Sequence, residues 1–197
     1  MPGIFDADDD AATPLSPEEI HDLIPAHIAF RHELNLAEQE NIVRRQHWAL
    51  NRRKADLLTE KFFTDLHRQM FSDVWRWAGK FRTSERTLGI PFYEIPVALR
   101  QLLDDTKAWI EYKSYPPDEI AVRFHHRLVQ IHPFANGNGR HSRLMADLLV
   151  MRRLGGERFS WGSANLQAAG DVRGRYIGAL KAADNHDIGP LLAFARS

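Results

Sequence analysis

The side chains best placed to do chemistry in this chain gather in one stretch, "HPFANGNGRHSR", residues 132–143. It opens on a histidine, carries two Asn-Gly pairs, and sets Arg140 and Arg143 directly behind them. Helix N-termini bear a partial positive charge and favour Asp or Glu in the first turn. The helix expected from about Arg140 to Leu154 opens instead on Arg140, His141 and Arg143, with no acid before Asp147. That much positive charge is stable there only with an anion in front of it. Gly137 and Gly139 let backbone N–H groups turn inward and approach a ligand closely. A helix N-terminus behind such a loop is an anion site, and two arginines three positions apart can clamp further oxygens. The pattern reads as a cradle for a di- or triphosphate, with His132 at its rim as general base. A plain helix–loop–helix connector is the competing reading. A hairpin, which the Asn-Gly pairs alone would allow, does not fit flanks whose apolar period is 3.6.

The elements that must position this loop are helices. Upstream, Ile120, Phe124, Leu128 and Ile131 mark a helix from Asp118 that delivers His132 at its C-terminal end, where Pro133 stops it. Downstream, Leu144, Leu148 and Met151 mark the second helix, which stops at Gly155-Gly156. Nearer the N-terminus, Ser16-Pro17-Glu18-Glu19 forms a capping box. Asn35 with Glu38 repeats the cap pattern before a helix that places Leu36, Val43 and Leu50 on one face, with Glu40 and His47 beside them. Thr59 caps a helix with the stripe Phe63, Leu66, Met70 and Val74 that ends near Gly79; Pro96 opens another through Leu99, Leu102, Leu103 and Ile110. Residues 80–95 lose the helical period and read as an extended flap or short hairpin. Shorter helices are expected near 164–170, 172–184 and 190–196. The fold class is all-α, organised as an acidic tail (1–15), N-terminal helices (16–56) and a core (57–197) that packs with them as one compact domain.

Composition narrows the function classes. The chain has 197 residues, long enough for one domain with a real core, and 26 basic against 26 acidic side chains. Nucleic-acid binders usually carry a basic excess, so no nucleic-acid partner is expected. The absence of cysteine excludes disulfides and thiolate metal sites, and fits a cytoplasmic location. No apolar run approaches the roughly 20 residues that span a bilayer, so no membrane partner is expected. The acidic start lacks the basic-then-apolar order of a signal peptide. Ten histidines raise a metal-hydrolase reading. There is no His-Glu-x-x-His, and no aspartate follows His186-Asp187 to complete an HD-type site. His125 and His126 read as a helix surface pair with one ring at the core edge; Trp75, Trp77 and Trp109 read as core.

"HPFANGNGRHSR" resembles the signature of the Fic (Fic/Doc) family, and the helix pattern agrees with it from about residue 59 to 184. The stretch around "LNLAEQENI" resembles a subgroup called mobile mystery protein B, which hints at a bacterial toxin–antitoxin role. The resemblance implies an all-α enzyme that transfers AMP from ATP to a hydroxyl side chain of a target protein. It implies that His132 takes the proton of that hydroxyl and that Phe134 packs inward to hold the loop. Asn138 and the backbone of Gly137 and Gly139 would bind the α- and β-phosphates, Arg140 the β-phosphate side and Arg143 the γ-phosphate. The flap around Thr87, Leu88, Gly89 and Ile90, reaching to Tyr93, would pair with an extended segment of the target. Tyr176 resembles the aromatic near the adenine.

Several positions depart from the family pattern or bear on activity and control. Asn136 stands where the family has an acid that ligates Mg²⁺, and a neutral oxygen is the weaker ligand. Gly139 stands where the phosphate-transferring Doc subgroup has lysine, which favours nucleotidyl transfer. In many members an inhibitory helix carries a Glu that pairs with the second signature arginine; here Glu40-Asn41 matches that helix, while Leu36 replaces its hydroxyl residue. The implied resting state is a Glu40–Arg143 pair. Two function classes follow: an AMP-transferring enzyme restrained by its own helix, or a nucleotide-binding or partner-binding module weakened by Asn136. A phosphate-transferring toxin–antitoxin component, with a second copy or an antitoxin as partner, belongs beside them.

Overall fold

The computed structural model describes residues 15–52, 55–163 and 171–197. The helix expected near 164–170 and all but the last residue of the expected acidic tail lie outside these. Leu15 is buried, and its N–H donates to the Ala29 carbonyl at 3.1 Å. Among the described residues eight α-helices form: α1 (Pro17–Asp22), α2 (Arg31–Asn51), α3 (Glu60–Phe71), α4 (Ile95–Glu111), α5 (Pro117–Ile131), α6 (Asn138–Arg153), α7 (Asp171–Asp184) and α8 (Gly189–Ala195). No strand forms among the described residues, and the fold is all-α. No described helix is long and apolar enough to cross a membrane.

Local chemistry sets most helix starts. Ser16 and Glu19 make the expected reciprocal cap on α1, and Arg31 at the head of α2 is bidentate to Glu19 at 2.6 and 2.8 Å. Thr59 caps α3 by accepting from the Phe62 N–H at 3.2 Å. In α2 the start is earlier than the cap pattern implies. The helix begins at Arg31, because the Glu33 carboxylate reaches back to the N–H groups of Ala29 and Phe30 at 2.9 and 3.1 Å. Asn35 is therefore interior to the helix, and Glu38 is free for another use. Helix α3 ends at Phe71, well before Gly79, in a run of turns.

The core is built on α5 and α6, which run antiparallel around the loop 132–137. Phe124, Leu128, Ile131, Met145 and Leu148 are fully buried between them and their neighbours; each such side chain is worth about 1.5–3 kcal/mol relative to exposure. Helix α4 lies along α5, α3 packs on α6, and α7 and α8 close the other side. The buried Asp147 of α6 accepts from the Arg158 guanidinium and the Trp161 indole, both at 2.9 Å, which pins α6 to the segment that follows it. Helix α2 packs on α3 through Leu34, Glu38, Asn41 and Ala49. Leu36, Val43 and Leu50, the apparent apolar face of α2, point outward and are 60%, 53% and 40% exposed. A step of seven occurs on either side of a helix, and here the side that carries polar Glu38 and Asn41 is the one that packs.

Candidate active site

His132 closes α5 in the left-handed conformation (φ 51, ψ 60), its N–H still bonded to the Leu128 carbonyl at 3.1 Å. This reverses the chain into the loop and sets the imidazole at the rim. Burial pushes its pKa down to about 4, so the ring is neutral at pH 7 and able to take a proton.

The flap lies directly on this histidine. Gly89 has φ +106, and a Cβ there would come within 2.7 Å of both the His132 Cβ and the Arg82 guanidinium. Only glycine admits so close an approach. Arg82 is buried and ties the two pieces together: it donates to the carbonyls of His132 at 2.7 Å, Ser84 at 3.1 Å, and Ile90. Thr87 and Gly89 are exposed while Leu88 and Ile90 are half-buried, the alternation of a strand, yet no hairpin forms. Backbone carbonyls that a cross-strand partner would satisfy are held by Arg82 instead. No sequence pattern marked Arg82.

Three contacts brace the anion loop. Phe134 is fully buried, stacked on His67 with centroids 3.6 Å apart and on Phe63 at 5.4 Å. His67 accepts from the Gly79 N–H at 3.0 Å through Nδ1, so Nε2 carries the proton and donates to the Asn136 carbonyl at 3.1 Å. Burial, with help from the neighbouring His141, holds the His67 pKa well below its ordinary value and keeps this tautomer neutral. Asn138 bonds both backbone groups of Phe134, at 2.9 and 2.8 Å. Its side chain is thereby committed to holding the loop, not presented to phosphates as the resemblance implies.

Helix α6 begins at Asn138, two residues before the expected start, with Gly137 as its N-cap at φ 77. A Cβ on Gly137 would lie 2.4 Å from the Phe71 ring, so the turn can pass only as glycine. A Cβ on Gly139 would meet only the Arg143 guanidinium, at 3.6 Å; glycine here leaves open space beside that arginine. The first N–H groups of a helix have no intrahelical partner, and Gly139 lies among them in the first turn of α6. Asn136 is half-buried, its side-chain oxygen accepting the Gly137 N–H at 2.6 Å. His141 points away, buried against Phe63 and bonded to its carbonyl at 3.0 Å.

The two arginines are held differently. Arg140 donates to Glu38 at 2.6 Å and lies 4.9 Å over the Phe71 ring; its other terminal nitrogen is buried with no hydrogen-bond partner among the described residues. Glu38 is buried and also accepts from the Trp75 indole at 2.6 Å. Arg143 lies 5.5 Å over the ring of Tyr176, whose hydroxyl meets the His125 Nε2 at 3.0 Å. Tyr176 and His125 are both buried, so His125 is core rather than half of a surface pair. The expected Glu40–Arg143 pair does not form. Glu40 stands on the exposed side of α2, and the carboxylate two residues earlier meets the first arginine, not the second. Glu38 could have been found from the stripe Leu34, Glu38, Asn41, Ala49, which has helical spacing but is half polar.

Residues 57–150 match the Fic/DOC family. The curated relatives agree: the protein adenylyltransferase Fic of Aedes aegypti is 31% identical over 145 residues, 72% of this chain and 28% of that protein. The chain is a Fic/DOC family protein. The corresponding protein of Drosophila willistoni is 33% identical over 141 residues, 70% of this chain and 27% of its own length. The Fic/DOC chain thus spans less than a third of these relatives. Among solved structures, Fic-1 of C. elegans superposes with TM-score 0.62 at 25% identity, over 81% of this chain and 48% of that one. BepC of Bartonella tribocorum, solved with bound AMPPNP, superposes with TM-score 0.67 at 18% identity, over 95% and 92% of the two chains; that likeness is one of fold.

Proposed function

We propose that this Fic/DOC protein transfers AMP from ATP to a hydroxyl side chain of a target protein. The observation that carries the reading is the neutral His132 imidazole, set between the flap at Gly89 and the N-terminus of α6. A target segment laid along residues 87–90 brings its hydroxyl to this ring. As the imidazole takes the proton, the hydroxyl oxygen bonds to the α-phosphorus and the bond from that phosphorus to the pyrophosphate oxygen breaks. Pyrophosphate departs toward Arg140 and Arg143, whose charge offsets what gathers on it. The relatives named protein adenylyltransferase support the reaction class, and the space left by Gly139 supports a phosphate chain in contact with α6.

The same reading includes self-restraint. Glu38 occupies Arg140 in the chain as it stands, so a phosphate must displace a buried carboxylate to engage that arginine. The loop's own side chains do not fit a protein-held Mg²⁺: Asn136 offers one neutral oxygen, already engaged by the Gly137 N–H. Mg²⁺ accompanying the nucleotide would gain no charged ligand from this loop, and Asn136→Asp, which keeps the backbone bond and adds charge, should sharpen the metal titration of nucleotide binding.

Parallel reactions with α-labelled and γ-labelled ATP test the reaction. Label on protein from the α position alone supports AMP transfer. Label from the γ position alone would mean phosphate transfer, and label from neither, with nucleotide still bound, a binding module.

A further inference from the structure

The outer face of α2 is apolar, exposed and unused by the reaction. Leu36, Val43 and Leu50 stand one above another at steps of seven, and the first two line a shallow groove with Gln39, Glu40 and Arg44. A step of seven is nearly two helical turns, so the three form one stripe. One edge of the stripe carries Glu40, Arg44 and His47; the other carries Gln39. Glu40 has no ion-pair partner among the described residues, and Arg44, 61% exposed, reaches only Asp73, at 3.4 Å.

We propose that this face binds a second copy of the chain, with the two α2 helices antiparallel about a twofold axis at Val43. Charge decides both occupant and direction. Parallel packing would set the charged edge of each helix against the Gln39 edge of the other. Antiparallel packing sets the charged edge against itself, reversed, so that Glu40 faces Arg44 and His47 of the second copy, and the reverse. The same operation lays Leu36 on Leu50 of the second copy and Val43 on Val43. One surface thus supplies its own complement, as a twofold interface requires. Helix α2 is about 31 Å long at 1.5 Å per residue, which puts a contact along it at the small end of specific interfaces. The dimer is accordingly weak and concentration-dependent.

The full chain is tested by sedimentation from about 1 µM to about 1 mM, the range suited to a contact of this size. Wild type should pass from monomer to dimer, and Val43→Glu should weaken the association at least about tenfold. Glu40→Arg should weaken it and Glu40→Arg with Arg44→Glu restore it, a rescue that a folding defect would not show. The chain has no cysteine, so geometry can be read by oxidation with diamide. Val43→Cys should link to itself. Leu36→Cys should not, since its copies would sit about 21 Å apart along the axis, but it should link to Leu50→Cys in a mixture. A monomer throughout the range overturns the proposal. So does a dimer indifferent to Val43→Glu, or Leu36→Cys linking to itself as readily as Val43→Cys.

Discussion

Glu38 and Arg140 are 102 positions apart in the chain and meet at 2.6 Å, with the carboxylate 2% exposed and its other oxygen on the Trp75 indole. The pair joins the N-terminal helices to the first turn of α6. A guanidinium at a helix N-terminus needs an anion, and a buried carboxylate needs a cation. Each answers the other.

Glu38→Gln should therefore raise the transfer rate while lowering stability by about 3 to 5 kcal/mol, the usual cost of stripping one member from a buried pair. ATP should recover more thermal stability in this variant than in wild type, because the phosphate then replaces the missing charge. Glu40→Ala, on the exposed side of α2, should leave the rate per monomer unchanged. Denaturant unfolding and a transfer assay on both variants check this; a Glu38→Gln protein with wild-type rate would remove Glu38 from control.

His132→Ala should cut transfer by about 10²- to 10⁴-fold, the range for a general base. Nucleotide affinity should barely change, since the proposed site holds the phosphates through the α6 amides and the arginines. Calorimetric titration with a non-hydrolysable ATP analogue, beside the transfer assay, separates the two.

Arg82→Met should act on the target rather than on the nucleotide. Arg82 bonds the carbonyls of His132, Ser84 and Ile90, so its loss frees the flap from the base. KM for the target should rise severalfold with nucleotide affinity kept. Equal loss of both affinities would mean that Arg82 supports the whole loop.

Stability should fall as pH drops from about 6.5 toward 4. Burial lowers His125 and His141 to about 3 and His132 to about 4, and lowers His67 as well. Between those values and 6.5 the unfolded chain binds more protons than the folded one, so unfolding free energy rises with pH. Each such histidine adds a slope of about 1.4 kcal/mol per pH unit within that window. Thermal melts at fixed ionic strength should show it, and His125→Phe should flatten the curve. A flat profile over this range would mean that these rings are hydrated in solution.

Much of the site is legible in the sequence because its determinants are local. A histidine before proline, glycines spaced two apart and arginines on one turn of helix specify a loop and a helix N-terminus wherever they occur. Ser16 and Thr59 cap as expected because a cap needs only the next three residues. Asn138 is legible in place but not in use: its identity suits a phosphate ligand equally well, and only the fold turns it onto Phe134.

What the sequence alone determined is most of the helices, the Asn-Gly loop between two of them and the histidine at its rim, since propensity, capping and period act within a few residues. Tertiary structure decided which side of α2 faces in, that Glu38 rather than Glu40 reaches an arginine, and that Arg82 fastens the flap to His132. Each of these depends on groups far apart in the chain. The apolar period of α2 favoured the wrong face because burying Glu38 and Asn41 is unfavourable until Arg140, Trp75 and Asp73 are there to bond them, and only the folded chain brings those partners together.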